Sequence, residues 1–398
     1  MSNHLRSNII NLYLIKIAHW FMLFMPIVVL FYEDNGLEMR HVFILQAIYS
    51  VSIVVLEIPS GFLADAMGRK KTIIIGTVLG TLGFATYSFS YGFIGFLIAE
   101  IILGIGQSLI SGADSALLYD TLLESGKKEK YIKYEGRLIS VGNFSEAIAG
   151  ILGGLLATLS LRYPYYAQTL IAAIAVPASI LLKEPDTHKK MLTISFKNIL
   201  QVVKYALHDN KELKWNIIFS SVIGASTLTM AWFVQPYFKL IALPLAFFGL
   251  MWTLLNLTVG FSSMFADKIE NYFKFKKLLI GITIFIPAGF IFISQINTLW
   301  GIAVLFIFYY IRGIATPVLK DYINKLCDSD VRATVLSVRN FVIRIIFAIL
   351  GPFVGWYTDN FSLEQALLIT GIIILALASA TLIIHLRQRK TVLASSVK

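Results

Sequence analysis

Along the chain, long apolar runs alternate with short polar ones, and each run holds roughly 18–25 residues between charged clusters. A helix of that length crosses a hydrocarbon core of roughly 30 Å at about 1.5 Å per residue. Transmembrane barrels carry shorter segments in which apolar and polar positions alternate. These runs do not alternate, so they predict helices. The pattern places twelve of them over residues 9–31, 41–63, 72–90, 93–118, 136–160, 164–182, 215–238, 243–265, 277–297, 299–320, 333–357 and 362–386.

The longest polar stretch, Lys183 to Lys214, divides the set in two. Within it Phe196, Ile199, Leu200, Val203 and Leu207 recur at helical spacing, while Lys197, Gln201 and Lys204 take the opposite face. That pattern predicts an amphipathic helix on the membrane surface, acting mainly as a spacer. The expected organisation is an all-α integral membrane protein. A six-helix bundle covers 1–182, a linker 183–214, a second six-helix bundle 215–386, and a polar tail 387–398.

Lysine and arginine set the expected orientation. Of the 34, 27 fall in the N-terminus, the loops after helices 2, 4, 6, 8 and 10, the tail, or the helix ends beside them (Arg137, Lys277 and Lys320), and 3 (Arg40, Arg162 and Lys239) fall in the opposite loops. The bias predicts both termini in the cytoplasm, with the chain in the inner (cytoplasmic) membrane. It also accounts for the net charge of +11 as topology and attraction to anionic lipid, with no nucleic-acid partner. Composition agrees, with 57% hydrophobic residues, 14% charged residues and a mean hydropathy of +0.75. Soluble domains carry nearer a quarter charged residues. The first apolar run, 9–31, is too long for a cleaved signal peptide and is expected to be retained. The lone Cys327 forms no intramolecular disulfide, and the six histidines form no pair at helical spacing, so neither a metal site nor a cofactor is expected.

The halves echo each other. Arg137-Leu138-Ile139-Ser140-Val141-Gly142-Asn143-Phe144 opens helix 5, and Thr334-Val335-Leu336-Ser337-Val338-Arg339-Asn340-Phe341 opens helix 11. Ser, Val, Asn and Phe match in register. Ser60, Ala64, Asp65 and Lys70-Lys71 are likewise matched by Ser262, Ala266, Asp267 and Lys276-Lys277, with residues inserted in the second copy. Both point to a parallel duplication of a six-helix unit, giving two pseudo-symmetric bundles around a central site.

The loop after helix 2 reads Gly61-Phe62-Leu63-Ala64-Asp65-Ala66-Met67-Gly68-Arg69-Lys70-Lys71. It resembles the signature loop between helices 2 and 3 of the major facilitator superfamily, and helix number, central linker and half repeat extend the resemblance over essentially the whole chain. The resemblance implies a monomeric twelve-helix transporter. In such a protein Gly61, Asp65, Gly68 and Arg69, together with Glu57 and Asp267, would belong to the gate. Two other motifs depart from the family. Glu100 stands where helix 4 usually carries an arginine, and Ala149-Gly150-Ile151-Leu152-Gly153-Gly154 lacks the proline of the antiporter helix 5 while keeping its paired glycines.

An ionisable residue inside a span is a candidate functional residue. The first half carries Glu57, Glu100, Asp114 and Glu146, and the second carries Arg312, Arg339 and Arg344. In helix 4, Glu100, Gly104, Gln107, Ser111 and Asp114 form one polar stripe, which is expected to line a cavity. Lys16 and His19 share a face of helix 1, Asn340 and Arg344 one of helix 11, and Tyr309 and Arg312 one of helix 10. The expected proton carriers are Glu100 first, then Glu146 and Asp114. The expected cavity residues are Arg344, Arg312, Asn340, Gln107, Ser111, Asn143, His19 and Tyr309. Glu146 also aligns with Gly142, Gly150 and Gly154, which fits a helix-packing face equally well.

No nucleotide loop, metal-binding helix or nucleophile elbow marks an enzyme. The expected function is secondary active transport of a small organic solute by alternating access, proton-coupled, with export slightly favoured. The alternative is a symporter or uniporter importing an organic anion or metal chelate. The expected partners are the solute, protons and membrane lipid.

Overall fold

The computed structural model describes residues 3–185, 201–327 and 329–396, and all regular structure among them is helical. The chain divides into two compact units. Unit 1 contains α1 (Asn3–Trp20), α2 (Val28–Asp34), most of α3 (Met39–Met67), α4 (Arg69–Phe89), α5 (Phe93–Ile110), α6 (Ala113–Glu124), α7 (Tyr131–Ala157) and α8 (Tyr163–Ile180). Unit 2 contains α9 (Lys211–Leu240), most of α10 (Phe248–Ser263), α11 (Ala266–Ile293), α12 (Gly301–Asn324), α13 (Ser329–Asn360) and α14 (Leu363–Ser396). The start of α3, within Glu38–Ala47, clusters with unit 2, and Pro244–Thr253, with the start of α10, clusters with unit 1.

Among the described residues, 11 helices are long and apolar enough to cross a membrane, against the twelve expected. The expected helix over 164–182 forms as α8 but falls outside that set. Tyr163, Pro164, Tyr165, Tyr166 and Gln168 lower its hydropathy, and it packs against α1 and α4. Two expected helices are broken. The run 9–31 becomes α1 and α2, joined through an unwound stretch and a 3₁₀ turn, Met25–Ile27, that holds Pro26. Proline has no N–H to continue the ladder. The run 93–118 becomes α5 and α6, because Ser111 is extended and Gly112 has φ +85°. The expected amphipathic helix falls mainly outside the described residues, which resume with helical residues 201–204 and a π-helical turn, Tyr205–Asp209.

A membrane gives helices no hydrophobic reason to associate, so close packing and hydrogen bonds must hold each unit together. In unit 1, α4 packs on α5 and α8, and α1 packs on α7 and α8. A buried aromatic cluster lies at one end. The Phe31 and Tyr165 ring centroids are 4.1 Å apart, and Tyr87 stacks on Phe96 at 5.3 Å. Arg162 clamps the same end. Its Nη1 donates to the carbonyls of Ser88 (3.1 Å) and Ser90 (3.0 Å), and its guanidinium lies 3.8 Å from the Tyr91 ring centre. In unit 2, α9 packs on α13 and α14, and α11 packs on α12 and α14, with Phe290 edge-on to Phe308 at 5.5 Å. The carboxylate of Asp359 accepts from the backbone N–H of Met39 (2.8 Å) and Arg40 (2.7 Å), and so caps the start of α3.

Candidate functional site

The signature loop is built around a glycine without a side chain. Gly68 precedes α4 at φ +94°, a conformation L side chains rarely adopt. It therefore offers no cap to the orphan N–H groups of the first turn. Glu184, in the stretch just beyond α8, takes that role, accepting from Arg69 N–H at 2.9 Å and Lys70 N–H at 2.7 Å. The Arg69 side chain turns inward, 8% exposed, and forms an ion pair with Asp120 on α6, which is 1% exposed. The same guanidinium donates to the carbonyl of Ala116. Of the other expected gate residues, Asp267 is exposed in the first turn of α11. Glu57, Gly61 and Asp65 fall on α3 among positions whose side chains lie outside the described ones.

Further into unit 1 lies a cavity of about 210 Å³. Its polar wall is Lys16, His19, Gln107, Ser111, Asp114 and Ser115, and its apolar wall includes Leu12, Ile15, Trp20 and Leu138. Lys16 Nζ stands 3.5 Å from Asp114 Oδ2 and 5.6 Å from the Trp20 ring centre. The other Asp114 oxygen, Oδ1, accepts the Ser115 N–H at 2.7 Å, and Ser115 Oγ donates to Glu135 at 2.8 Å. Two chain breaks meet here: α1 ends at Trp20, and Ser111–Gly112 separates α5 from α6. Such interruptions free backbone polar groups, which a membrane tolerates where they line a cavity.

The polar stripe expected along helix 4 therefore splits. Gln107, Ser111 and Asp114 line the cavity. Gly104 instead packs closely against Ser52 of α3. Glu100, 5% exposed, lies in the aromatic cluster, where its Oε1 accepts from Tyr32 Oη at 3.0 Å and the Tyr32 and Tyr87 hydroxyls are 2.5 Å apart. On α7, Asn143 is exposed and Glu146 half-buried. The face shared by Gly150 and Gly154 packs backbone against backbone on Gly249, where a Cβ would meet the Gly150 carbonyl at 2.2 Å. Thr253 Oγ1 donates to the Ala147 carbonyl at 3.0 Å in the same contact.

In unit 2, Arg312 lies half-buried with its guanidinium 5.3 Å from the ring centre of the fully buried Tyr309. Arg344 is half-buried and Asn340 exposed on α13. Arg339 is 5% exposed, its Nε donates to Ser220 Oγ at 2.5 Å, and Ser221 Oγ donates to its carbonyl at 3.2 Å. Sequence reasoning did not single out Asp120, Glu184, Tyr32 or Ser220. Asp120 carried one signal, an acidic residue within an apolar stretch; the others carried none, because only the fold brings them to their partners.

The family model of the Major Facilitator Superfamily matches residues 12–352. The quinolone resistance protein NorA of Staphylococcus aureus (strain COL) is 21% identical over 336 residues, covering 80% of this chain and 83% of that protein. An uncharacterized transporter of Buchnera aphidicola subsp. Schizaphis graminum (strain Sg) is 30% identical over 253 residues, covering 60% of this chain and 59% of that one. Among solved structures, a mutant form of the nucleoside transporter NupG aligns with a TM-score of 0.82 at 14% identity, over 96% of this chain and 99% of that one. A bacterial homologue of the human lysosomal transporter Spinster, inward-facing and unoccupied, aligns at 0.75 and 12% identity, over 98% of this chain and 99% of that one. The match over most of the length, the signature loop and the multi-pass helical fold agree: the chain belongs to the Major Facilitator Superfamily, a family of membrane transporters.

Proposed function

We propose that this transporter exchanges a small organic solute for protons by alternating access, with export ahead of import, and that the unit 1 cavity is its coupling site. The observation that carries the reading is the partly exposed carboxylate of Asp114, 3.5 Å from Lys16 in a polar cavity that His19 and Gln107 also line. Asp114 takes the carrier role ahead of Glu100, which lies among tyrosine rings away from the cavity lining. The resistance protein among its relatives supports export. The half-buried Arg312 and Arg344 support the second reading, uptake of an organic anion or metal chelate.

In this reading Arg69 and Asp120 hold the cytoplasmic gate together with Gly61, Gly68, Glu57, Asp65 and Asp267. Both termini are cytoplasmic, and the chain works as a monomer in the cell membrane. The test is proton flux in proteoliposomes carrying an internal pH dye, with a panel of organic solutes. Solute-dependent proton movement opposite to solute movement is expected. Solute movement without proton flux overturns the coupling, and co-directional flux replaces export by symport.

A further inference from the structure

We propose that the unit 1 cavity recognises α-amino acids, small zwitterions whose ammonium and carboxylate are adjacent; this rests on the transport reading above. The wall of the cavity presents one ammonium, Lys16, and one carboxylate, Asp114, with 3.5 Å between Nζ and Oδ2. That spacing is longer than the roughly 2.7–2.9 Å of a tight charge-assisted hydrogen bond. Both side chains also keep partial exposure, 20% and 17%. An ion pair of this kind contributes little by itself and is readily exchanged for another.

A ligand carrying both charges side by side replaces the pair without loss. Its carboxylate meets Lys16 and its ammonium meets Asp114, so no charge in the cavity is left without a partner. A monocation would draw Asp114 from Lys16 and sit beside a like charge. A monoanion would strand Asp114 in the same way. Either singly charged ligand forgoes a charge contact that the zwitterion keeps, and like charges set side by side disfavour it further. The close spacing also rejects zwitterions whose charges are far apart.

The rest of the cavity fits the same class. Trp20, Leu12 and Leu138 offer an apolar and aromatic wall to a side chain, and Gln107 offers a neutral polar contact. The volume of about 210 Å³ lies below the roughly 300–1,000 Å³ of drug-sized sites, which favours a solute of few atoms. Asp114 stands in the first turn of α6, and α1 ends at Trp20. A carboxylate near the N–H end of a helix is electrostatically favoured. Because a proton and the ligand's ammonium compete for the same Asp114 oxygen, binding of one displaces the other.

Calorimetry on the full-length protein in lipid nanodiscs tests this without transport. The probes are alanine, leucine and phenylalanine, each beside its amide, which is cationic, and its N-acetyl form, which is anionic. At least one free amino acid is expected to bind, and its blocked forms about tenfold or more weakly. Lys16→Gln is expected to remove the advantage over the amide, and Asp114→Asn the advantage over the N-acetyl form. The double variant Lys16→Asp/Asp114→Lys is expected to recover binding of the zwitterion, with thermal melting reporting that each variant folds. Equal binding of a blocked form, or no binding by any free amino acid, overturns the proposal. Where the same protein in proteoliposomes moves other solutes against protons, only this inference falls. Where it moves none, the transport reading falls with it.

Discussion

In unit 1 a lysine faces an aspartate across an open cavity, at 3.5 Å and with both side chains partly exposed. In unit 2 the buried cation of α13, Arg339, is 5% exposed and rests on the hydroxyl of Ser220, with no carboxylate bridging it among the described residues. The segments around Gly142 and Arg339 share a sequence pattern, since Ser140-Val141 and Asn143-Phe144 match Ser337-Val338 and Asn340-Phe341. One copy keeps the packing glycine, and Trp20 fills the space beside it. The other places a buried charge at the same position. The lesson is that a shared sequence pattern leaves the charges free to differ: a partly exposed pair in one unit, a buried cation in the other.

Substitutions that remove a fixed partner should cost much more stability than those that disturb the open pair. The largest effect is expected at Asp120. Asp120→Ala leaves Arg69 buried without its carboxylate, which costs about 3–5 kcal/mol when a buried pair is broken. Thermal or denaturant unfolding of the purified protein measures it, and a loss under about 1 kcal/mol would put this pair with the exchangeable ones. In unit 2, Ser220→Ala removes the acceptor of Arg339 Nε and should cost about 1–3 kcal/mol by the same assay. Glu184→Ala uncaps α4, for which about 1 kcal/mol is expected, with hydrogen exchange rising first at Arg69 and Lys70.

Lys16→Met should cost at most about 1 kcal/mol of stability while removing the preference for a free amino acid over its amide. The smallest effect is expected at Lys325, just beyond α12, whose pKa is raised above its ordinary value chiefly by a hydrogen bond to Asp321, with Glu270 adding to it. A raised lysine pKa stabilises below the unfolded value of 10.5 and loses that contribution as pH rises through the folded value. Asp321→Asn should therefore shift stability by a few tenths of a kcal/mol at neutral pH, and the difference from wild type should vanish only in strong alkali.

Much of the fold was legible because a bilayer imposes a coarse rule: apolar runs of helical length must span it. The rule missed the breaks. Gly112 lies within a run apolar enough to read as one helix, and only its φ of +85° and the extended Ser111 reveal the corner. The break changes which carboxylate meets the cavity. Glu100 and Asp114 look alike in sequence, both acids in one apolar run. Glu100 is turned into an aromatic cluster assembled from α2, α4, α5 and α8, and Asp114 is carried by the corner to face α1. Gln107, Ser111 and His19 line the same cavity as Asp114. Arg69 with Asp120 and Gly68 with Glu184 were not legible as pairs, since each is joined only by tertiary folding.

The claim that the coupling site is the unit 1 cavity is tested most directly by solute-driven proton flux in proteoliposomes of Asp114→Asn and Glu100→Gln, measured beside wild type at equal protein content. The account predicts that Asp114→Asn loses the flux and Glu100→Gln retains it. Loss in Glu100→Gln with normal flux in Asp114→Asn would place the proton in the aromatic cluster and contradict the account.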